Sequence, residues 1–225
     1  MAAMKLPSSD IEADGRLHRF SDGERWVHRS LGVLMAICML TAAALYFGFV
    51  SSLIGHREVV STIHFASGLL LPVPLIAGAL FSAAFRDDVR RLNRFFPSDW
   101  RWLRSRASRI NAAVGKFNAG QKLNSSFVLG AVVLLFISGL MLRYFGFFAD
   151  NTRNGATFVH DFTALCLVLV TIGHMSKAWA DVEARTGMRT GSVSKVWARV
   201  EHPLWAAEIE RQHVAAEVAT DSESD

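Results

Sequence analysis

Cysteine clusters, charge over long stretches and a cleavable leader are the features this sequence lacks, and each absence excludes something. Its two cysteines, Cys38 and Cys166, both lie inside apolar blocks. They form no CxxC pair and no metal-ligand spacing, so they read as small buried residues and carry no disulfide framework. No nucleophile triad accompanies them. Charge is missing over three stretches: no Asp, Glu, Lys or Arg occurs between Arg29 and His56, between Glu58 and Arg86, or between Lys122 and Arg143. Residues 1–26 are polar and carry Asp10, Glu12, Asp14, Asp22 and Glu24. That is neither a signal peptide nor an acid-free transit peptide, so the first apolar block is expected to direct insertion itself. There is no internal repeat.

What is abundant is apolar surface. Hydrophobic residues make up 51% of the 225, with sixteen Phe and six Trp. A spanning helix needs about 20 mostly apolar residues, and in lipid the backbone must satisfy its own hydrogen bonds. The three uncharged stretches meet that requirement. A fourth block, from Thr157 to Ser176, is interrupted by His160, Asp161 and His174. The pattern predicts an all-α integral membrane four-helix bundle, with helices at about 27–50, 60–85, 123–146 and 157–181. Residues 1–26 and 182–225 are then polar ends, and the closing TDSESD reads as disordered. A barrel would need short alternating strands, which are absent.

Lys and Arg are unevenly distributed. The segments before the first block, between the second and third, and after the fourth carry 5, 10 and 6, against 1 and 2 in the other two connections. The positive-inside rule puts both termini in the cytoplasm. It also accounts for the net charge of +4 without a nucleic-acid partner, leaving membrane lipid as the surroundings. In the long basic connection, Trp100, Leu103, Ala107 and Ile110 recur at helical spacing opposite Arg101, Arg104, Arg106 and Arg109, a pattern suited to an amphipathic helix at the headgroups. Trp197 and Trp205 mark a second interfacial or partner-binding stretch in the tail.

Eight histidines are present. His18, His202 and His213 lie in polar segments and read as surface residues; His56 sits in a short outer loop. His28, His64, His160 and His174 lie in or at the ends of apolar spans, where an ionisable group is costly and a function is the default reading. His160 and His174 are fourteen residues apart on one helix. That is a rise of about 21 Å and a turn of roughly 1400°, about 40° short of four circles, so both occupy one stripe. Each has one partner at its own depth: His64 at the outer side, His28 at the cytoplasmic side. Two stacked imidazole pairs suit two bis-histidine haems built between facing helices. Thr163, Ala164, Thr171 and Gly173, with Gly68 and Gly32, leave room for porphyrin. A shared zinc or di-iron centre does not suit pairs this far apart.

Several segments resemble the cytochrome b (gamma) subunit of respiratory formate dehydrogenases, within the wider bacterial di-haem cytochrome b family. They are Glu24-Arg25-Trp26-Val27-His28, Gly115-Lys116-Phe117-Asn118-Ala119-Gly120-Gln121-Lys122, Gly173-His174-Met175, Gly187-Met188-Arg189-Thr190-Gly191-Ser192-Val193, Trp197-Ala198 and His202-Pro203-Leu204-Trp205. The histidine motifs are shared with hydrogenase cytochromes; GKFNAGQK is the specific run. The resemblance implies two haem b groups on the pairs above. It implies a menaquinone or ubiquinone pocket formed by Asn118, Gly120 and Gln121 beside the inner haem. It also implies an iron–sulfur beta subunit and a catalytic alpha subunit of formate dehydrogenase as partners in the bacterial inner membrane, with room for a higher oligomer of the complex. From the residues alone, GKFNAGQK reads more readily as a tight turn with solvated polar groups than as a quinone pocket. The sequence departs from the family at Arg29, where an aromatic is common, and at Glu201-His202, where a His-His pair is common.

The resulting expectation is an electron wire: electrons arrive from an outer-face partner and reduce quinone near the cytoplasmic side, while formate chemistry itself belongs to another subunit. Two rivals stay open. One is the cytochrome b subunit of a hydrogenase or another outer-face reductase. The other is a haem-free membrane anchor or transporter, for which Pro72 and Pro74 offer a broken helix.

Overall fold

The computed structural model describes residues 15–104 and 112–223. The chain enters through a short strand, β1 (Arg16–His18), and begins its first long helix, α1 (Asp22–Tyr46), at a capping box. The Ser21 hydroxyl accepts from the Glu24 N–H and the Glu24 carboxylate accepts from the Ser21 N–H, so two of the unpaired first-turn donors are satisfied. A short helix, α2 (Gly48–Ile54), closes the far end. The chain returns through α3 (Arg57–Leu70) and α4 (Pro72–Phe81). Pro72 lacks an N–H and interrupts the ladder there, but Leu71 keeps right-handed helical angles of φ −53° and ψ −41°. The interruption is therefore a kink in one continuous span and not an unwound segment of the kind a transporter site uses.

Next come α5 (Ala83–Leu92) and α6 (Pro97–Arg104). α6 carries Trp100 and Leu103 of the expected amphipathic helix; Ala107 and Ile110 lie outside the described residues. α7 (Ala119–Arg143) crosses back, a single 3-10 turn (Phe145–Phe147) reverses the chain, and α8 (Asp150–Ala180) returns. Four helical stretches, Asp22–Tyr46, Arg57–Phe81, Ala119–Arg143 and Asp150–Ala180, are long and apolar enough to cross a membrane. Each begins before the apolar edge, at 22, 57, 119 and 150, because polar first turns carry caps or charges that extend the helix out of the lipid zone. Outward-facing side chains such as Leu40, Phe81, Leu80 and Trp179 are largely exposed, as lipid-facing residues are.

The spans pack as two hairpins. α1 lies along α3 and α4, α7 lies along α8, and α3 touches α7. At the end that carries both termini, a folded cap covers the bundle. α9 (Val182–Thr190), β2 (Ser192–Ser194), α10 (Lys195–Glu201) and α11 (Pro203–Glu223) follow α8. β1 and β2 pair antiparallel, with Leu17 opposite Val193. Leu17, Val193, Ala198, Trp205, Ala206 and Ile209 form a closed apolar core there, the most deeply buried cluster among the described residues. α11 continues to Glu223, into the TDSESD end that composition reads as disordered.

Candidate functional site: two histidine pairs and a capped loop

Four histidines from three helices, two of them on α8, come together in two places. His64 on α3 and His160 on α8 have ring centroids 6.3 Å apart; His28 on α1 and His174 on α8 have theirs 6.2 Å apart. These are the pairs expected from depth. His56, by contrast, is exposed at the start of α3, away from either pair.

The separation is informative. Two imidazoles sharing a hydrogen bond of about 2.9 Å have ring centres about 5.2 Å apart. Two imidazoles bound to opposite faces of one metal, with bonds of about 2 Å, have ring centres about 6.3 Å apart. Both pairs match the second distance. Space flanks them as well: a Cβ added at Gly32, Gly68 or Gly173 would meet nothing within 4 Å. Gly139, in contrast, sits against His160, where a Cβ would lie 3.3 Å from the ring Cε1, so the imidazole would have to give by a few tenths of an ångström.

The contacts of the His64 and His160 pair favour one tautomer each. His64 Nδ1 is 2.9 Å from the Thr41 hydroxyl and 3.2 Å from the Cys38 carbonyl. A carbonyl only accepts, so Nδ1 carries the proton. The Thr41 hydroxyl spends its own proton on the Ile37 carbonyl at 2.6 Å and can accept. On the other hairpin, Ser138 donates to the Leu134 carbonyl at 2.6 Å and lies 3.0 Å from His160 Nδ1. In both histidines the bare nitrogen is therefore Nε2, the one a metal would take. Neither His28 nor His174 makes a comparable hydrogen bond among the described residues.

The candidate quinone residues start α7. Asn118 is its N-cap: the Asn118 side-chain oxygen accepts from the Gln121 N–H at 2.9 Å, and the Gln121 side-chain oxygen accepts from the Asn118 N–H at 2.9 Å. This reciprocal box is an N-x-x-Q capping signature that the sequence carries openly. It engages both side-chain oxygens. Gly120 faces Trp102, whose ring edge would be 3.3 Å from an added Cβ. The loop lies at the His28 end: Lys116 binds Asp88 at 2.6 Å and Glu24 at 3.3 Å, and Glu24 is one turn before His28. Burial, together with a hydrogen bond shared with the Glu24 carboxyl, pushes Asp88 up to about 8 despite Lys116.

His202 corrects the reading of a surface residue. It is 2% exposed. Its Nδ1–H donates to the Gly115 carbonyl at 2.7 Å, and its Nε2 accepts from Arg19 at 3.0 Å. Arg19 also donates to the Lys116 carbonyl at 2.8 Å, and the Leu204 N–H donates to the Val114 carbonyl at 3.0 Å. Three successive loop carbonyls are thus held by three groups from the two chain ends. Polar neighbours hid this burial in the sequence; the only signal was the His-Pro-Leu-Trp run that carries part of the family resemblance.

Four spans with paired intramembrane histidines define a class, the multi-pass membrane cytochromes b. Residues 19–180 match the family model described as prokaryotic cytochrome b561, and the chain belongs to that family. Membership implies haem b, which the spacing, tautomers and flanking room of the histidine pairs accommodate. Among similar proteins, the cytochrome b556(Fdn) subunit of the nitrate-inducible formate dehydrogenase of Escherichia coli is 31% identical over 109 residues, 47% of this chain and 50% of that protein. The cytochrome b556(fdo) subunit of the same organism is 31% identical over 100 residues, 43% of this chain and 47% of that one. The formate dehydrogenase cytochrome b556 subunit of Haemophilus influenzae is 25% identical over 211 residues, 88% of this chain and 86% of that one. The chain spans about half the length of the Escherichia coli relatives it matches.

Proposed function

We propose that the chain is the membrane cytochrome b subunit of a formate dehydrogenase complex, holding two b haems: one on His64 and His160, one on His28 and His174. The observation that carries this reading is the equal spacing of the two imidazole pairs, 6.3 and 6.2 Å, within a cytochrome b family chain. The relatives named as formate dehydrogenase cytochrome subunits support the donor. Haem b held between two imidazoles supplies one-electron carriage.

The chain's own residues orient the traffic. The Lys and Arg distribution supports cytoplasmic termini in a bacterial inner membrane, a membrane domain over 27–181 and a cytoplasmic tail from 182. The His64 and His160 end then faces an iron–sulfur partner with its catalytic subunit outside. Quinone, menaquinone or ubiquinone, is reduced at the opposite end, where the amide NH2 groups of Asn118 and Gln121 remain available to its carbonyls and Gly120 keeps the approach narrow. Protons enter from the cytoplasm. Moving an electron inward works against the membrane potential at about 2.3 kcal/mol per 100 mV, so the donor must be strongly reducing, as formate is.

The test uses anaerobic membranes containing the whole complex. Formate is expected to reduce a b-type visible band that added quinone reoxidises. A band reduced by hydrogen and not by formate would replace the partner with a hydrogenase. Absence of any b-type band in the purified chain would overturn the cytochrome reading and leave a haem-free anchor.

A further inference from the structure

The two outer histidines are braced in the same way by residues that no reading of the motifs singles out. Thr41 sits on α1 and reaches His64 on α3; Ser138 sits on α7 and reaches His160 on α8. Each brace thus crosses one of the two hairpins. A hydroxyl inside an apolar helix normally satisfies itself by donating to the carbonyl one turn back, and both do so, at 2.6 Å. That bond accounts for the proton of each hydroxyl. It does not account for the second contact, in which the oxygen faces an imidazole Nδ1 at 2.9 and 3.0 Å. Ser138 is 3% exposed, so its oxygen has no water to choose instead.

Building on the di-haem reading, we infer that Thr41 and Ser138 are positioning residues for the outer haem: by accepting the Nδ1–H of His64 and of His160 they present both Nε2 atoms to iron and hold that haem at a lower potential than the inner one. An acceptor on Nδ1–H draws the proton away from the ring, makes the opposite nitrogen a stronger donor, and favours the oxidised, more positive iron. The Cys38 carbonyl at 3.2 Å from His64 acts in the same sense. His28 and His174 have no such acceptor among the described residues, so the inner haem lacks this bias. A lower potential outside and a higher one inside makes inward transfer favourable and offsets part of the work against the membrane potential.

The experiment is a redox titration of the b-type bands in the whole purified complex, for the parent and for Thr41→Val, Ser138→Ala and the double variant. Thr41→Val keeps the shape of threonine and removes the acceptor. The double variant is expected to raise the outer potential by an amount on the order of a tenfold change in its one-electron equilibrium, which is about 59 mV. Each single variant moves it less, and the inner potential stays fixed. Low-temperature EPR of the oxidised outer haem should shift in the same variants. Thr41→Ser and Ser138→Thr, which retain the hydroxyl, are expected to restore both readouts. Two bound haems with unchanged potentials and spectra in the double variant would overturn the inference while leaving the di-haem reading intact. Loss of the outer haem in the Val and Ala variants but not in Ser and Thr supports it; loss in all four would mean shape and not the acceptor matters, and would overturn it. A parent complex with fewer than two haems would instead refute the underlying reading.

Discussion

The two histidine pairs have nearly the same geometry but are held by different means. The His64 and His160 pair is fixed from within the spans, by the Thr41 hydroxyl and the Cys38 carbonyl on one ring and the Ser138 hydroxyl on the other. At the inner pair, α1 and α8 do not pack closely, and the connection runs through the cap. Arg29, next to His28, donates to the carbonyls of Met188 and Arg189, and Arg25 donates to that of Arg189 at 2.6 Å. The start of α1 is thereby tied to the end of α9, which continues from α8. Arg29, a departure from the family's usual aromatic, thus has a structural duty. The lesson is that apolar helices can place a ligand only with short hydroxyls near their own backbone, whereas the wet end can use long cations and a folded tail. Substitutions in the cap should therefore disturb the inner pair and leave the outer pair alone.

The largest effect at that end of the bundle is expected outside the cap, at Lys122 in the first turn of α7. It is buried with Asp99 at 2.8 Å and also donates to the Arg94 carbonyl. Lys122→Ala strands a buried carboxylate, at a cost of about 3–5 kcal/mol. Thermal unfolding should fall by several degrees, with the inner haem lost first and the outer band retained; equal loss of both would remove the distinction between the two ends.

His202 comes next. His202→Ala leaves the Gly115 carbonyl and one Arg19 donor unpaired, at about 1–3 kcal/mol. His202 also contributes to the acid sensitivity of the cap. Burial, then the nearby Arg19 charge, pulls His202 down to about 3 from an ordinary 6.5, although the Gly115 carbonyl opposes this. Its folded form resists protonation, so the stability it contributes is complete above about 6.5 and is lost progressively as the pH falls toward 3. Limited proteolysis of the parent should release the tail at pH 5 sooner, relative to pH 7, than it does in His202→Ala; the same ratio in both would remove His202 from the pH response.

Asn118→Ala removes the N-cap of α7, a loss of about 1 kcal/mol. Both haems should remain, with their reoxidation by quinone slowed. Unchanged reoxidation would assign Asn118 to capping alone.

The spans and the pairing were legible from the chain because both follow from one-dimensional facts. Charge is absent over the lengths a bilayer needs, and fourteen residues separate His160 from His174 on a single helix. Helix starts were less legible. Apolar edges mark the lipid, whereas caps such as Ser21 with Glu24 mark the helix, and the two differ by a turn or more. The cap was hidden because β1 and β2 are three residues each, too short for alternation to register. Thr41 and Ser138 were hidden for another reason: their partners lie 23 and 22 residues away on a different helix, and nothing local to either hydroxyl sets it apart.

The most direct measurement is the haem b content of the purified chain, determined chemically alongside protein. Two per chain are expected in the parent, and one in each of His64→Ala and His28→Ala, with the band of the His64/His160 haem and that of the His28/His174 haem lost respectively. One haem in the parent, or the same band missing from both variants, would contradict the di-haem reading.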